Sequence, residues 1–214
     1  KTMESQFLYN YELPVGNTLF TFAPDLSRGL ASSNNAIEDK LFWLDVEATS
    51  QLDVKLPRAN TPAWSPNGRS IVFFGNQQMP DSPGPQWAQE PYDLWLMPAD
   101  CESVSQECDR SLELLLKGIQ YPSAVHWSPD GHWLVFDGNL QGQGDGIWLM
   151  EMDAKTVIQI LAGDYIQPTW SPNGKSIVVI GPTEQSGDSP LYRSTLYILD
   201  VSGIVEENTD SNNP

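Results

Sequence analysis

One phrase, built on Trp-Ser-Pro-Asn/Asp-Gly, constrains the fold of this chain more than any other sequence feature. It reads WSPNGKSIVVIG at 170–181 and recurs with small changes at 64–75 and 127–138. A degenerate copy, in which Phe and Ala replace the Trp and Ser, begins at Phe22. A unit this short cannot bury an apolar face by itself, so four copies predict a repeat protein whose units pack on one another.

The chemistry of the phrase is that of a β-hairpin. Proline presets φ at about −65°, Asn or Asp bonds to the neighbouring backbone, and glycine accepts positive φ, which together favour a tight turn. The run after the glycine is β-branched and aromatic, as a buried strand requires. A short apolar segment precedes each turn and is predicted to be the partner strand.

Each hairpin is followed by further strand-like segments. A third, aromatic–aliphatic strand places Phe42, Trp95, Trp148 and Tyr197 at equivalent positions. A fourth strand is predicted in the first three units, at 51–56, 111–117 and 156–161. The phrase begins at residues 22, 64, 127 and 170, with an insertion at 76–92 and a cysteine-containing loop lengthening the second interval. Four short strands in a period of about 40 residues predict the blades of a β-propeller.

We therefore expect an all-β propeller of four-stranded antiparallel blades, about four in this chain, over residues 5–203. The expected blades are 18–56, 61–117, 122–161 and 166–203. The fourth unit lacks an outer strand, whereas residues 5–13 form a spare one that is predicted to complete the last blade and close the ring. Residues 204–214 form an acidic tail that is predicted to be disordered.

The phrase Trp-Ser-Pro-Asp/Asn-Gly-Lys/Arg, followed by an aromatic-x-hydrophobic-x-Asp strand, resembles the PD40 (WD40-like) repeats of TolB-like propellers over roughly residues 5–203. The resemblance implies a non-catalytic, extracytoplasmic module that binds a protein partner. TolB-like propellers carry more copies than the four found here. Four blades can close a ring, but the chain can equally be part of a larger propeller, form a homo-oligomer, or associate through open blade edges.

The formal net charge of −17 argues against nucleic acids and anionic membranes as partners. Nucleic-acid binding needs a basic footprint, and an anionic membrane surface would repel such a chain. No apolar stretch approaches the roughly 20 residues of a membrane-spanning helix. The sequence indicates no cofactor. A protein partner is compatible with the charge.

Two cysteines, Cys101 and Cys108, lie close together in an acidic loop. A local disulfide formed in an oxidising compartment is favoured over free thiols. A metal site is disfavoured because the two histidines, His126 and His132, belong to another unit. We expect a periplasmic or extracellular protein, and the absence of Met at Lys1 indicates processing or excision.

Long loops between second and third strands, predicted at 33–39, 76–92, 139–145 and 182–193, supply candidate binding residues. The insertion at 76–92 is stiffened by prolines and carries an exposed Trp with Gln neighbours, which suits a contact with a protein or a sugar. The alternative is that Trp87 folds back to cap the ring. The full set of candidates is Gln86, Trp87, Tyr92, Tyr121, Tyr165 and Arg193.

No catalytic or metal-binding residue is assigned. The glycine-rich segment 141–146 is not followed by a helix, so it does not predict a phosphate site. Asp137 and Asp145 are weak candidates for Ca²⁺ because no spaced calcium motif contains them. The chain has no Gly-x-Ser-x-Gly elbow. Alternative functions are an accessory propeller domain of a larger enzyme such as a serine peptidase, and a carbohydrate-binding or lyase-like propeller.

Overall fold

The computed structural model describes the chain in seven ranges. These are 17–34, 39–45, 51–54, 58–76, 91–101, 111–182 and 194–205. Almost all regular structure within them is β-strand, with one helical turn at 202–205. In this part of the chain, no helix is long and apolar enough to span a bilayer.

The strands form four successive antiparallel blades, which confirms the predicted all-β class. Blade 1 contains β1 (Asn17–Phe22), β2 (Arg28–Asn34), β3 (Asp39–Asp45) and β4 (Gln51–Val54). Blade 2 contains β5 (Arg58–Trp64), β6 (Ser70–Asn76), β7 (Tyr92–Pro98) and β8 (Glu113–Gln120). Blade 3 contains β9 (Val125–Trp127), β10 (Trp133–Leu140), β11 (Gly144–Glu151) and β12 (Val157–Ala162). Blade 4 contains β13 (Ile166–Trp170), β14 (Ser176–Pro182) and β15 (Ser194–Asp200).

Two predicted segments at the ends of the chain fall largely outside these ranges. The strand expected at residues 5–13 is not among the described residues, so its pairing with blade 4 stays a prediction. The predicted tail, 204–214, begins inside the helical turn, where Ile204 N and Val205 N both donate to Val201 O. Its first two residues are helical because their side chains pack on the core of blade 4.

The repeated turn has the geometry that its chemistry predicts. In blade 3, Gly131 N donates to Ser128 O at 3.0 Å, and the glycine has a φ of 79°. The hydroxyl of Ser128 accepts a bond from Trp133 N at 2.9 Å and donates to Asp130 Oδ1 at 2.5 Å. Blades 2 and 4 repeat this network. The serine therefore joins the turn to the start of the second strand.

The turns also touch one another across neighbouring blades. A Cβ atom placed on the turn glycine of one blade would lie 3.5–3.7 Å from the Cδ atom of the turn proline in the preceding blade. The three pairs are Gly68 with Pro24, Gly131 with Pro66, and Gly174 with Pro129. Blade 1 has Leu26 at the glycine position, with a φ of 60°. The proline and glycine thus serve blade packing as well as the hairpin.

Three apolar cores join successive blades. The first contains Leu30 and Trp43 of blade 1 with Phe73 of blade 2. The second joins blades 2 and 3, and the third joins blades 3 and 4. Burial of each large side chain in these cores contributes about 1.5–3 kcal/mol. No apolar core among the described residues joins blade 4 to blade 1.

The outer strand of blade 2 is longer than the predicted segment 111–117. Strand β8 continues to Gln120, where its last two residues pair with the end of β10. The strand bends at Gly118, which has a φ of 76° and donates its N–H to Asp93 Oδ1 at 3.0 Å. This pairing fuses blades 2 and 3 into one eight-stranded sheet.

The glycine-rich segment of blade 3 differs from its prediction as a long loop at 139–145. Strands β10 and β11 keep their pairing to Leu140 and Gly144, so only three residues form the hairpin turn. A three-residue hairpin with glycine at positive φ is a common solution. The segment extends the sheet and leaves little loop for binding.

Candidate functional site

The strand pairing places the connections on two faces. We call turn face the side that carries the Ser-Pro-Asn/Asp-Gly turns and the connections between third and fourth strands. The loop face carries the connections between second and third strands and the links between blades. Of the predicted binding residues, Gln86, Trp87 and Arg193 lie outside the described residues. Tyr92, Tyr121 and Tyr165 lie at the loop face, and their role in binding stays a prediction.

The three tyrosines differ in how much of the ring is accessible. Tyr92 is half-buried against the core of blades 2 and 3. Tyr165 packs edge-on against Tyr197 at 5.4 Å and covers Gly181, where a Cβ atom would come within 2.5 Å of its ring. Tyr121 is 66% exposed. Among these three, Tyr121 presents most of its ring to a partner.

Asp137 forms a polar junction between blades 3 and 4. Its carboxylate is fully buried and accepts bonds from Ser123 N at 2.7 Å, Ala124 N at 2.9 Å and Gln167 N at 2.8 Å. The Ser123 hydroxyl donates to the same group. The carboxylate therefore holds the link that enters blade 3 and the first strand of blade 4 in one arrangement.

This junction was not recognised in the sequence, although a signal for it exists. Asp137 occupies the position of Phe74 in blade 2 and Ile180 in blade 4. Burying a carboxylate at an apolar strand position destabilises the fold unless several hydrogen-bond donors contact it. Such a substitution within a repeat marks a candidate tertiary hydrogen-bond centre.

The junction also bears on the Ca²⁺ alternative for Asp137 and Asp145. All four bonds to the Asp137 carboxylate come from N–H or O–H donors, which occupy the lone pairs that a cation would need. The side chain of Asp145 is exposed on the β10–β11 hairpin. In the ranges described, no group of three or more His, Cys, Asp or Glu residues is arranged to hold a metal ion.

We expect acidification to destabilise the fold through His126. Packing removes water from its imidazole and lowers its pKa below the usual 6.5, although the negative charge of Asp137 opposes the shift. Because the folded pKa lies below the unfolded one, the unfolded state binds more protons, and stability falls as pH drops below about 6.5. His126 is nevertheless an exposed residue of β9, so this effect is small.

The measurement for this prediction is urea unfolding at several pH values between about 7 and 5. His126→Gln should show a shallower loss of midpoint stability than the wild type. His132→Gln is the matched control, because it removes the other histidine of blade 3, which lies on the turn and not in a strand. Equal slopes for wild type and His126→Gln would contradict the role of His126.

An open cleft of about 750 Å³ lies on the turn face between blades 1 and 2. Its lining residues are Ala23, Pro24, Asp25, Ser27, Arg28, Trp64, Pro66, Asn67, Gly68, Arg69, Pro98, Ala99 and Asp100. Three prolines, two alanines and a tryptophan make up its apolar part. Two arginines and two aspartates supply the charges.

Arg28 is held in place at this cleft. Its guanidinium lies 5.2 Å from the centre of the Trp43 ring and donates to Ala99 O of blade 2 at 3.3 Å. Hydrogen bonds from the backbone and hydroxyl of Ser27, with a smaller effect of the Arg28 charge, keep the pKa of Asp25 below its usual value. Asp25 is therefore ionised at neutral pH. Arg69 is exposed.

Residues of the degenerate first copy of the phrase line this cleft. Ala23 replaces the turn serine, and Arg28 occupies the place of Ser70 in blade 2. In the next interface, Trp127 Nε1 donates to Ala63 O at 3.1 Å. The equivalent Trp64 Nε1 is buried and finds no partner among the described residues. Trp170 Nε1 at the third interface is also buried without a partner among the described residues, so only the second of the three interfaces has this hydrogen bond.

Cys101 follows the cleft residues Ala99 and Asp100 and is half-buried. Its backbone N–H donates to Pro98 O at 3.3 Å, which closes a turn after β7. Cys108 lies outside the described residues, so the disulfide between the two cysteines stays a prediction.

No protein-family model matches the sequence, and no curated protein matches it in sequence. Solved structures do match its fold. TolB from Acinetobacter baumannii matches with a TM-score of 0.63 at 16% identity, over 87% of this chain and 41% of that protein. A protein assigned as TolB from Agrobacterium tumefaciens gives 0.60 at 21% identity, over 86% and 61%.

A third match is the β-propeller domain of the trilobed protease from Pyrococcus furiosus, described as having an open velcro topology. It gives a TM-score of 0.53 at 15% identity, over 81% of this chain and 50% of that one. Together these likenesses establish the propeller fold. The chain spans less than two thirds of the length of each of these three proteins, and its PD40 assignment stays a prediction.

Proposed function

We propose that this chain is a non-catalytic propeller module that binds a protein partner in an extracytoplasmic compartment. The observation that carries the proposal is the open cleft between blades 1 and 2. Arginine and tryptophan are the side chains most enriched at the energetic centres of protein interfaces. Here both line a concave surface, and proline and alanine make up half of the other lining residues.

The cleft carries charges of both signs, so a partner would have to match them at specific positions. Its two arginines and two aspartates balance, whereas the whole sequence has 11 basic residues against 28 acidic ones. The contacts of Arg28 with Trp43 and Ala99 fix its guanidinium before binding. A preorganised guanidinium loses less conformational entropy when it pairs with a carboxylate.

The extracytoplasmic setting rests on the predicted disulfide between Cys101 and Cys108, since such bonds persist in oxidising compartments. The predicted loop-face residues offer a second contact surface. Gln86, Trp87 and Arg193 would act there together with the exposed ring of Tyr121. The cleft and the loop face would contact different parts of a partner, and substitutions on each surface test them separately.

Affinity capture from envelope and cytosolic extracts of the source organism tests the proposal. We expect a defined protein from the envelope fraction only, with recovery reduced at least about tenfold by Arg69→Glu, which corresponds to about 1.4 kcal/mol. Lys117→Glu, an equal charge change on an exposed residue of β8, should leave recovery unchanged. Trp87→Ala probes the loop face.

Each outcome of the capture experiment is informative. Loss with Trp87→Ala and full retention with Arg69→Glu would move binding to the loop face and overturn the role of the cleft. A partner from the cytosolic fraction would overturn the proposed compartment. Failure of the wild type to retain any protein would contradict the binding-module function.

A second candidate is a propeller domain of a larger enzyme. The likeness to the propeller domain of the trilobed protease favours it, because that domain belongs to a peptidase. A catalytic domain encoded in the same gene would support this candidate function. A carbohydrate-binding propeller remains the third proposal, and glycan-array binding that is lost in Trp87→Ala would support it.

A further inference from the structure

Two of the repeated turns carry an asparagine directly before a glycine, and this pair is open to spontaneous chemistry. Asn67 precedes Gly68 and Asn173 precedes Gly174, and the sequence has Asn before Gly at these two places only. Glycine has no Cβ atom, so its backbone nitrogen can approach the preceding side chain with little steric hindrance. Both asparagines are exposed to the solvent, which supplies the base and the water that the reaction needs.

The reaction is deamidation through a cyclic imide. The Gly68 nitrogen gives its proton to a base in the solvent and attacks Cγ of Asn67. A bond forms between these two atoms while the bond from Cγ to Nδ2 breaks, and the amide nitrogen takes a proton from water and leaves as ammonia. A water molecule then opens the ring at either carbonyl, which gives aspartate or isoaspartate with no change of oxidation state.

The folded turn of blade 2 holds both reacting groups in other bonds. Gly68 N donates to Ser65 O at 2.9 Å, so the proton that must leave is in a hydrogen bond. The Asn67 Oδ1 atom accepts from the Ser65 hydroxyl at 2.8 Å and from Arg69 N at 3.0 Å. Ring closure makes Cγ tetrahedral and draws it toward the glycine nitrogen, which displaces Oδ1 from both donors.

Blade 4 repeats this arrangement. Gly174 N donates to Ser171 O at 2.9 Å. The Asn173 Oδ1 atom accepts from the Ser171 hydroxyl at 2.7 Å and from Lys175 N at 3.0 Å. Two turns in different blades therefore restrain the same reaction by the same contacts.

Blade 3 shows what the reaction would leave in such a turn. Asp130 stands at the asparagine position and accepts from the Ser128 hydroxyl at 2.5 Å and from His132 N at 3.0 Å. These are the contacts that the asparagines make, so an aspartate product fits the turn. Isoaspartate does not fit, because it adds a methylene group to the main chain within the turn.

We propose that Asn67 and Asn173 are deamidation sites protected by the serine hydroxyl of their own turns, so that the reaction proceeds only when a turn opens. The rate through local opening is the rate in the unfolded chain multiplied by the open fraction. The Ser65 hydroxyl also accepts from Ser70 N at 3.0 Å, so its removal takes two hydrogen bonds from the turn. The Ser171 hydroxyl has the same two roles in blade 4.

The two sites differ in what their reaction would change. Asn67 lines the cleft between blades 1 and 2, where two arginines balance two aspartates. Its conversion to a carboxylate would leave the cleft with an excess of negative charge. Asn173 is not among the lining residues, so its conversion would leave the cleft unchanged.

Peptide mapping by mass spectrometry, after incubation of the intact chain at mildly alkaline pH, tests the proposal. In the wild type we expect both asparagines to react at least about 100-fold more slowly in native buffer than in denaturing urea. Ser65→Ala should accelerate the reaction of Asn67 about tenfold in native buffer and leave Asn173 at its wild-type rate, because the lost hydrogen bonds raise the open fraction of one turn. Ser171→Ala should do the converse.

Ser128→Ala is the matched control, because it removes the turn serine from the blade without an asparagine and should change neither rate. Three results would overturn the proposal. Equal rates in native buffer and in urea would show that the turns give no protection. An unchanged or slower reaction of Asn67 in Ser65→Ala would show that the hydroxyl does not protect it.

The third such result is equal acceleration of both asparagines by Ser65→Ala in a chain that keeps its far-UV circular dichroism. It would show that the reaction follows opening of the whole fold and not of one turn. The comparison of native buffer with urea uses the wild type alone, so it tests the protection even if a substituted chain fails to fold.

Discussion

Replacing Asp137 with alanine is expected to lower the free energy of unfolding by about 3 kcal/mol. The substitution removes the acceptor for three backbone N–H groups and one hydroxyl, of which the Ala124 N–H is buried and the others are partly buried. An unsatisfied buried donor costs far more than the net value of the bond it has lost. Ser123 and Gln167 would both be affected, so the links into blades 3 and 4 should loosen together.

Urea unfolding measures this effect, and two further variants define its origin. Asp137→Asn preserves the shape and one acceptor oxygen but turns an amide N–H₂ toward donors, so we expect an intermediate loss of about 1–2 kcal/mol. Asp145→Ala removes an exposed carboxylate and should change stability by less than about 0.5 kcal/mol. A loss in Asp137→Ala no greater than that of Asp145→Ala would contradict the role of the junction.

Trp148→Ala is expected to destabilise the protein by about 4 kcal/mol. The side chain is 1% exposed and lies in the core between blades 2 and 3. Its removal would leave a cavity beside Phe136 and Leu134, whose backbones are fixed by strand pairing on both sides. A rigid sheet cannot collapse into such a cavity, so the full cavity cost should be measured.

Trp148→Phe separates packing from hydrogen bonding. The indole Nε1 donates to Gly138 O at 3.0 Å, and phenylalanine would fill much of the volume without that bond. We expect a loss of about 1–2 kcal/mol, measured by the same urea unfolding. A loss equal to that of Trp148→Ala would show that the hydrogen bond, and not the packed volume, dominates.

The equivalent aromatic positions of the blades illustrate what a repeat can predict. Alignment of the units equates Trp148 with Tyr197, and both polar tips bond to a carbonyl at the end of the neighbouring strand. Each contact joins residues within one blade, 10 to 15 positions apart. Local pattern and period are sufficient to place such pairs because the hairpin register brings them together.

The cleft between blades 1 and 2 illustrates the opposite case. Arg28 reaches Ala99, which is 71 positions away in the chain, and no periodic pattern links the two. Sequence comparison among the units did show that the first phrase had lost its Trp and Ser. What that loss produces depends on the distance between two blades, and this is set by the packing of whole sheets.

The pairing of β8 with β10 likewise depends on how neighbouring blades pack. A bend at Gly118 lets the outer strand of blade 2 pair with Asn139 and Leu140 of blade 3. The amino-acid types around 118–120 are ordinary for the end of a strand. Their pairing partner follows from the position of the next blade, so the predicted strand ended too early.

The sequence by itself determined the blade: its turns, its strand order and the equivalent aromatic positions of its third strands. Those features arise from contacts between near neighbours, for which proline, glycine, asparagine and alternating apolar residues act directly. The tertiary structure decided the Asp137 junction, the cleft with Arg28 and the pairing of β8 with β10. These depend on how separate blades stack, and stacking is governed by shape and burial summed over whole sheets, which no single segment encodes.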